Sequence, residues 1–227
     1  MKRFYTAVTV TPDRGIELDG RPVKTPLRVA LRLPTQALAE AVAAEWEAQT
    51  GTIDPRSMPL TGLANAAIDR VAVDRDAFVA SLAAYGDADV LLYRAAEPPP
   101  LARAQLAAWN PILDWAERRY GIEFAPITGI VHRPQPPETL ATLAAALGAF
   151  DDFRLVAMQP LITITGSLVI GLALAEGALD ADTAWAASEL DELWQAENWG
   201  EDELAIQTRA HRRADYDAAL RFLALLA

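Results

Sequence analysis

The spacing of apolar and polar residues changes character near residue 35. Before it, apolar positions alternate over short, β-branched runs. FYTAVTV (4–10) reads as a strand, TPDRG as a turn and IEL (16–18) as a second short strand. Asp19-Gly20 is a tight hairpin signal. LRVALRL (27–33) places Leu27, Val29, Leu31 and Leu33 on one face and Arg28 and Arg32 on the other. Pro22, Pro26 and Pro34 keep these strands short or at a sheet edge.

Beyond Pro34 the period lengthens to that of a helix. Thr35 is placed to cap QALAEAVAAEWEAQTG, where Leu38, Val42, Trp46 and Gln49 share a face and Gly51 follows the end. TIDPRSMPL reads as a loop. Helices are predicted over TGLANAAIDRVAV and DRDAFVASLAAYG, followed by a rigid linker at AAEPPP. LARAQLAAWNPILDWAERRYG is helical, and Asn110-Pro111 either kinks that helix or begins a second. IEFAPITGIVHRPQPP is extended and ETLATLAAALGAF helical. A helix from about Ala181 to Asn198 and another from Asp202 onward complete an α+β pattern: a small N-terminal β-rich domain over residues 1–36, then a larger all-helical domain over 37–227.

One segment departs from this patterning. LVAMQPLITITGSLVIGLALA, Leu155 to Ala175, runs 21 residues without a charge, the length of a bilayer crossing. Gln159, Pro160, Thr163, Thr165 and Ser167 interrupt it, and no aromatic belt flanks it. It divides into a buried strand-like stretch to about Ile164 and a core helix from about Gly166. Small residues at Ser167, Gly171 and Ala175 leave room there for a second helix. No membrane insertion is expected.

Composition narrows the function. Hydrophobic residues make up 52% of the 227, enough for a sizeable core, and much of that is helix-favouring alanine. The net charge of −11 repels phosphate backbones, so no nucleic-acid partner is expected. The absence of cysteine excludes disulfides and thiolate chemistry and suits a reducing compartment. MKRFYTAVTV lacks the long apolar core of a signal peptide and reads as the start of the fold.

Signs of catalysis are few. His132 in VHRPQPP and His211 in a basic helical stretch lie in unrelated contexts, too few for zinc without cysteine. Ser167 in TGSLVIG does not sit in a nucleophile elbow, and no glycine-rich phosphate loop exists. Asp74, Asp76, Asp87 and Asp89 lack the compact alternation of a calcium loop, and Asp87 and Asp89 read more simply as ending a helix near Gly86. No catalytic residue, metal or cofactor is expected.

Surface signals remain. Lys and Arg are absent from Leu155 to Thr208 and return in RAHRRADYDAALR. Within that span lies ELDELWQAENWGED (189–202). As a helix it places Glu192, Gln195 and Trp199 on one face, extended by Glu189. Trp185, Leu190, Leu193 and Trp194 fall mainly on another, the expected buried one. Either Trp199 remains on the acidic face as an aromatic anchor for a partner, or it folds back past Gly200 with its indole N–H satisfied by Glu197 or a carbonyl. The acids are either a solvated face or a field for a basic partner surface.

FYTAVTV, LDGRPVKTP, LPTQALAEAVAAEWEAQ, IDPRSMPLTGLANAAIDR, YGDADVLLYRA, WNPILDWA, GSLVIGLALAEGAL and ELDELWQAENWG, in this order and spacing, carry a resemblance over nearly the whole chain. The chain resembles the ATP-twelve family, the assembly chaperones of the F-type ATP synthase. One departure is Asn110 in AAWNP, where the family pattern leads to Asp; both residues cap helices. The resemblance implies a β-rich N-terminal domain and a helical C-terminal one. It implies a protein that is not an enzyme and needs no cofactor. Such a protein binds the free alpha subunit of the catalytic sector, shields its beta-facing surface from aggregation and releases it to the beta subunit. Without a nucleotide motif, release by mass action is simpler than release by ATP hydrolysis.

The match to the WQ-x-E-x-WG block implies that Glu192, Gln195, Glu197 and Trp199 contact this partner, with Glu189 on their face. Arg21 and Lys24 in LDGRPVKTP form either a second, basic rim of that interface or a hairpin turn with solvated charges. Eukaryotic relatives act in the mitochondrial matrix. The lack of a transit peptide and the Ala-, Arg- and Pro-rich composition suit the bacterial form, acting in the cytoplasm. Two rivals stand beside this reading: a carboxylate-dependent hydrolase or lyase with a pocket in the helical domain, and a module that binds a membrane subunit through the uncharged segment.

Overall fold

A computed structural model describes residues 1–227. The elements run β1 (Val8–Val10), β2 (Ile16–Leu18), β3 (Arg21–Pro22), α1 (Gln36–Glu47), α2 (Pro59–Ala66), α3 (Arg75–Ala83), β4 (Tyr93–Arg94), α4 (Pro99–Tyr120), β5 (Ile127–Thr128), α5 (Pro137–Gly148), α6 (Asp152–Thr165), α7 (Leu168–Ala175), α8 (Ala181–Ser188), α9 (Leu190–Trp199) and α10 (Glu203–Ala224). They gather into two compact units. One holds residues 1–78, 151–157 and 215–227; the other holds 79–150 and 158–214. The expected α+β class, a small N-terminal sheet followed by helices, is what the chain forms.

In the first unit, β1, β2 and β3 make an antiparallel sheet in that order, with Val8 opposite Leu18 and Glu17 opposite Pro22. Asp19 and Gly20 turn the chain with φ of 49° and 76°, as the hairpin signal requires. The Asp19 carboxylate accepts the Thr6 and Ala7 amides, fixing the start of β1. Ile16 and Leu18 are buried, and Pro22 sits on the edge strand, where its missing N–H costs no ladder bond.

The helices of this unit are tied by side-chain caps. Thr35 accepts from the Leu38 amide, and its hydroxyl donates to the Leu225 carbonyl at 2.5 Å. The Glu45 carboxylate of α1 accepts both the Leu60 and Thr61 amides at 2.8 Å, completing the bare N-terminus of α2. TIDPRSMPL is therefore only partly loop: Pro55–Ser57 is a 3-10 turn and Pro59 opens α2. Its cap comes from another helix and has no local sequence signature. Phe153 stacks on Phe222 with centroids 6.4 Å apart, and Arg75 pairs with Asp152 at 2.5 Å.

The alternation in LRVALRL does not become a strand. Leu31 and Leu33 are buried as expected, but Leu27 is 64% and Val29 48% exposed. Arg28 adopts φ 66°, and the Arg28 amide donates to the Thr25 carbonyl while the Thr25 amide donates to Val29. That tight turn reverses the chain between the two halves of the pattern.

In the second unit α4 is one continuous helix through Pro111, ended by Gly121 at φ 67°. Pro98 stands before the helix, and Pro99 and Pro100 occupy its first positions, so the expected linker is a helix start. The stretch from Leu155 to Ile164, expected to be strand-like, lies in α6. Much of it is buried, which removes the polar stripe that would reveal a helical period. The Thr163 and Thr165 hydroxyls bond the Gln159 and Leu161 carbonyls around Pro160. A Cβ at Gly171 of α7 would meet Ile162 of α6 at 2.6 Å, so glycine sets the closeness of these helices. No helix is long and apolar enough to cross a membrane.

Asp89 is the buried polar centre of this unit. It does not end a helix, as the sequence suggested. It opens the turn at Val90–Leu92 and accepts from the Leu91 amide, the Val169 amide and the Ser167 hydroxyl at 2.9–3.1 Å. Ser167 in turn caps α7 at Ile170. Burial pushes the Asp89 carboxyl up from 3.8 to about 6, against these donors.

A raised folded-state value stabilises fully below the unfolded value and loses that contribution as pH rises through the folded one. Asp89 should therefore withdraw on the order of 3 kcal/mol between about pH 4 and pH 6. Asp13, Asp19, Asp151 and Asp180 are shifted down, so their contributions change at lower pH. Glu189 is shifted up as well, so the comparison of Asp89→Asn with wild type isolates the effect. Urea titrations across pH 4–6.5 should show a flatter stability curve for Asp89→Asn; parallel curves would exclude this role.

Candidate functional site

The acidic stretch is two helices. α8 ends at Ser188, Glu189 takes ψ 3°, and α9 restarts at Leu190. The change of phase turns Glu189 inward, where it is fully buried. This corrects the expectation that Glu189 shares the exposed face: it cannot meet a partner directly. Its Oε1 accepts from Arg212 at 2.7 Å and its Oε2 from Arg209 at 3.2 Å. Burial holds the Glu189 carboxyl above its ordinary value, opposed by Arg212 and reinforced by Glu192.

The same arginines spread outward. Arg212 also reaches Glu192 at 3.3 Å and the Ile164 carbonyl at 2.9 Å, and Arg209 pairs with Glu201. Arg213 bonds Asp182 at 2.7 Å and lies over the Trp185 ring. The cations missing from residues 155–208 therefore return in space from α10. The basic cluster just past that boundary was the sequence signal for this pairing.

α4 fixes α8 and α9 from the other side. Trp109 donates its indole N–H to the Ala187 carbonyl at 2.8 Å, and Gln105 donates to Asp191 at 2.8 Å. The Gln105 carbonyl oxygens hold the Ala95 amide and the Arg94 guanidinium. Arg94 is buried and also bonds the Asn110 side chain at 2.7 Å. Asn110 thus lies inside a helix and serves a guanidinium, not a cap.

Glu192, Gln195 and Trp199 come together, as their spacing predicted. With Leu204, Thr208 and Arg212 they line an open hollow of about 570 Å³ between α9 and the start of α10. Trp199 does not fold back. It is 74% exposed, edge-on to Trp194 at 5.6 Å. Gly200 permits this: φ 84° with ψ 169° is open only to glycine, and it ends α9 without turning the indole inward. Leu204 and Ile206 add exposed apolar surface, and Leu193, expected inside, lies at the surface. Glu197 is exposed but does not line the hollow. Arg21 and Lys24 are exposed on the sheet-bearing unit.

The arrangement favours contact over chemistry. Of the carboxylates on the hollow, Glu192 and Glu201 are engaged by arginines and Asp202 accepts the Ala205 amide, and nowhere are three His, Asp or Glu side chains gathered to hold a metal. His132 bonds Tyr93 at 2.9 Å and approaches Asp87 at 3.2 Å at the surface, and His211 is exposed.

Comparisons with known proteins agree with one another. The family described as ATP12 chaperone protein matches residues 2–117. The crystal structure of Atp12 from Paracoccus denitrificans superposes with a TM-score of 0.95 at 43% identity, covering 100% of this chain and 98% of that one. A protein of Agrobacterium tumefaciens described as a chaperone gives 0.93 at 40% identity, covering 100% and 86%. Protein atp12, mitochondrial, of Schizosaccharomyces pombe is 24% identical over 214 residues, covering 88% of this chain and 74% of its own.

The pairing pattern separates structural from exposed acids. Glu189→Ala should lower stability by about 3 kcal/mol, because it removes the buried carboxylate that two half-buried guanidinium groups share. Glu192→Ala should cost about 1 kcal/mol or less, as for an exposed pair. Urea denaturation followed by circular dichroism decides; equal losses would mean that Glu189 is not the structural node.

Proposed function

Since this chain belongs to the ATP12 family of ATP synthase assembly chaperones and is not an enzyme, we propose that its client is the free alpha subunit of the catalytic sector. In this reading the α9–α10 hollow meets the alpha surface that later packs against the beta subunit. The observation that carries it is Trp199, a large aromatic held out in solvent at the end of α9. Exposing such a ring is unfavourable unless a partner covers it. Tryptophan is also enriched among residues that dominate binding energy.

Gln195 supplies hydrogen-bonding groups beside the ring, and Glu192 and Glu197 supply a charged rim. Apolar anchoring with a polar rim suits a contact that must later yield. Release then needs only a competitor with higher affinity for the same alpha surface, which the beta subunit provides by mass action. Arg21 and Lys24 form a second contact in this reading. The place of action is the bacterial cytoplasm, in keeping with the Paracoccus and Agrobacterium relatives.

Tagged chain co-expressed with the alpha subunit should retain it in the soluble fraction, and added beta subunit should release it. Trp199→Ala should weaken that retention by about 30-fold, the scale of a dominant interface residue. Glu192→Lys should also weaken it, with unchanged circular dichroism. A wild-type chain that leaves alpha aggregated, or retention indifferent to both substitutions, would refute the assignment.

A further inference from the structure

The sheet-bearing unit holds an apolar surface of its own. The turn at residues 25–29 projects Leu27 and Val29 into solvent, and this projection is built. The Thr25 hydroxyl donates to Asp69 Oδ1 at 2.7 Å and the Leu27 amide to Asp69 Oδ2 at 3.0 Å. Arg28 accepts the left-handed φ of 66°, which is unfavourable for a residue with a side chain. A carboxylate and a strained residue together hold two aliphatic side chains outward.

Beside the turn lies a hollow of about 440 Å³, lined by Pro26, Leu27, Gly62, Ala66 and Arg70 among others. Its lone carboxylate, Asp69, is occupied by the turn. The charges left free are positive: Arg28 and Arg70 are exposed, and neither guanidinium makes an ion pair. The setting is unusual for this chain. Residues 1–35 hold seven Lys or Arg against three Asp or Glu, whereas the whole chain carries −11.

We propose that this turn and hollow dock an acidic peptide segment of a protein partner, one whose bulky apolar side chain enters the hollow while flanking Asp or Glu residues meet Arg28 and Arg70. Charge complementarity selects the occupant. A basic segment would be repelled locally, and a purely apolar one would leave two cations unused. The site does not depend on which subunit is the client at α9–α10.

Gly62 provides a clean test. It sits within α2 with open space where a Cβ would be and lines the hollow, so Gly62→Leu places a bulky side chain there with no clash at its Cβ. Leucine also favours a helix over glycine, so folding should be maintained or improved. Fluorescein-labelled peptides alternating Leu with Glu, or Leu with Gln, are titrated against the full-length chain by anisotropy. The net charge of −11 repels the Glu peptide at long range, so a preference for it must come from a local site.

The Glu peptide should bind at least about 10-fold more tightly than the Gln peptide, and high salt should reduce the difference. Arg28→Gln with Arg70→Gln should abolish the preference. Gly62→Leu should abolish binding with an undiminished melting temperature, while Trp199→Ala should change nothing. Equal affinity for the two peptides, binding that survives Gly62→Leu, or binding lost in Trp199→Ala would overturn the proposal. So would a wild-type dimer in sedimentation that Leu27→Ser converts to monomer, because a second copy would then occupy the surface.

Discussion

The exposed face of the helical unit depends on one buried carboxylate. Glu189 stands at the break between α8 and α9, where a charged group without partners would be prohibitive to bury. Arg209 and Arg212 make burial possible, and in doing so they draw the first half of α10 against α9. The hollow between these helices follows from that bond geometry, and Gly200 leaves Trp199 outward at its edge. A buried ion pair is poor evidence of net stability, but it is specific. No aliphatic substitute would fix the register of two helices through two separate guanidinium groups.

The arrangement also resolves a tension in an acidic helical surface. A dense row of unpaired carboxylates would repel itself and loosen the helices that carry it. Here Glu189 and Glu192 are both met by Arg212 of α10, and Glu197 remains exposed at the rim. The surface stays soluble while presenting an aromatic ring and aliphatic groups. That combination suits the face proposed to meet a client, which must resist self-association while uncovered.

Local signals were legible where local physics decides the outcome. The Asp19-Gly20 turn, the Thr35 cap and the i, i+3, i+7 grouping of Glu192, Gln195 and Trp199 all arise from neighbours in sequence. What escaped reading comes from distant partners. Glu45 caps α2 from another helix, Asp89 serves the α7 N-terminus 80 residues away, and Gln105 braces Asp191 across 86. Full burial also erased information. α6 and α7 lack a polar stripe, so their hydrophobicity alone could not tell helix from strand. Glu189 was misplaced for a related reason: a single non-helical ψ shifts every later residue of the presumed helix to another face.

The grouping of segments has a consequence for biosynthesis. The sheet-bearing unit draws on residues 1–78, yet it also includes 151–157 and 215–227. Tyr216, Ala219 and Phe222 are buried, and Thr35 is held by the Leu225 carbonyl. The unit that holds the earlier of these residues is thus completed after the other. A ribosome-bound chain has every residue of the other unit by position 214, while the sheet-bearing unit still lacks residues 215–227. Vectorial synthesis therefore leaves residues 1–78 exposed until 215–227 emerge, an interval in which short strands interrupted by prolines are poor templates for pairing with another chain.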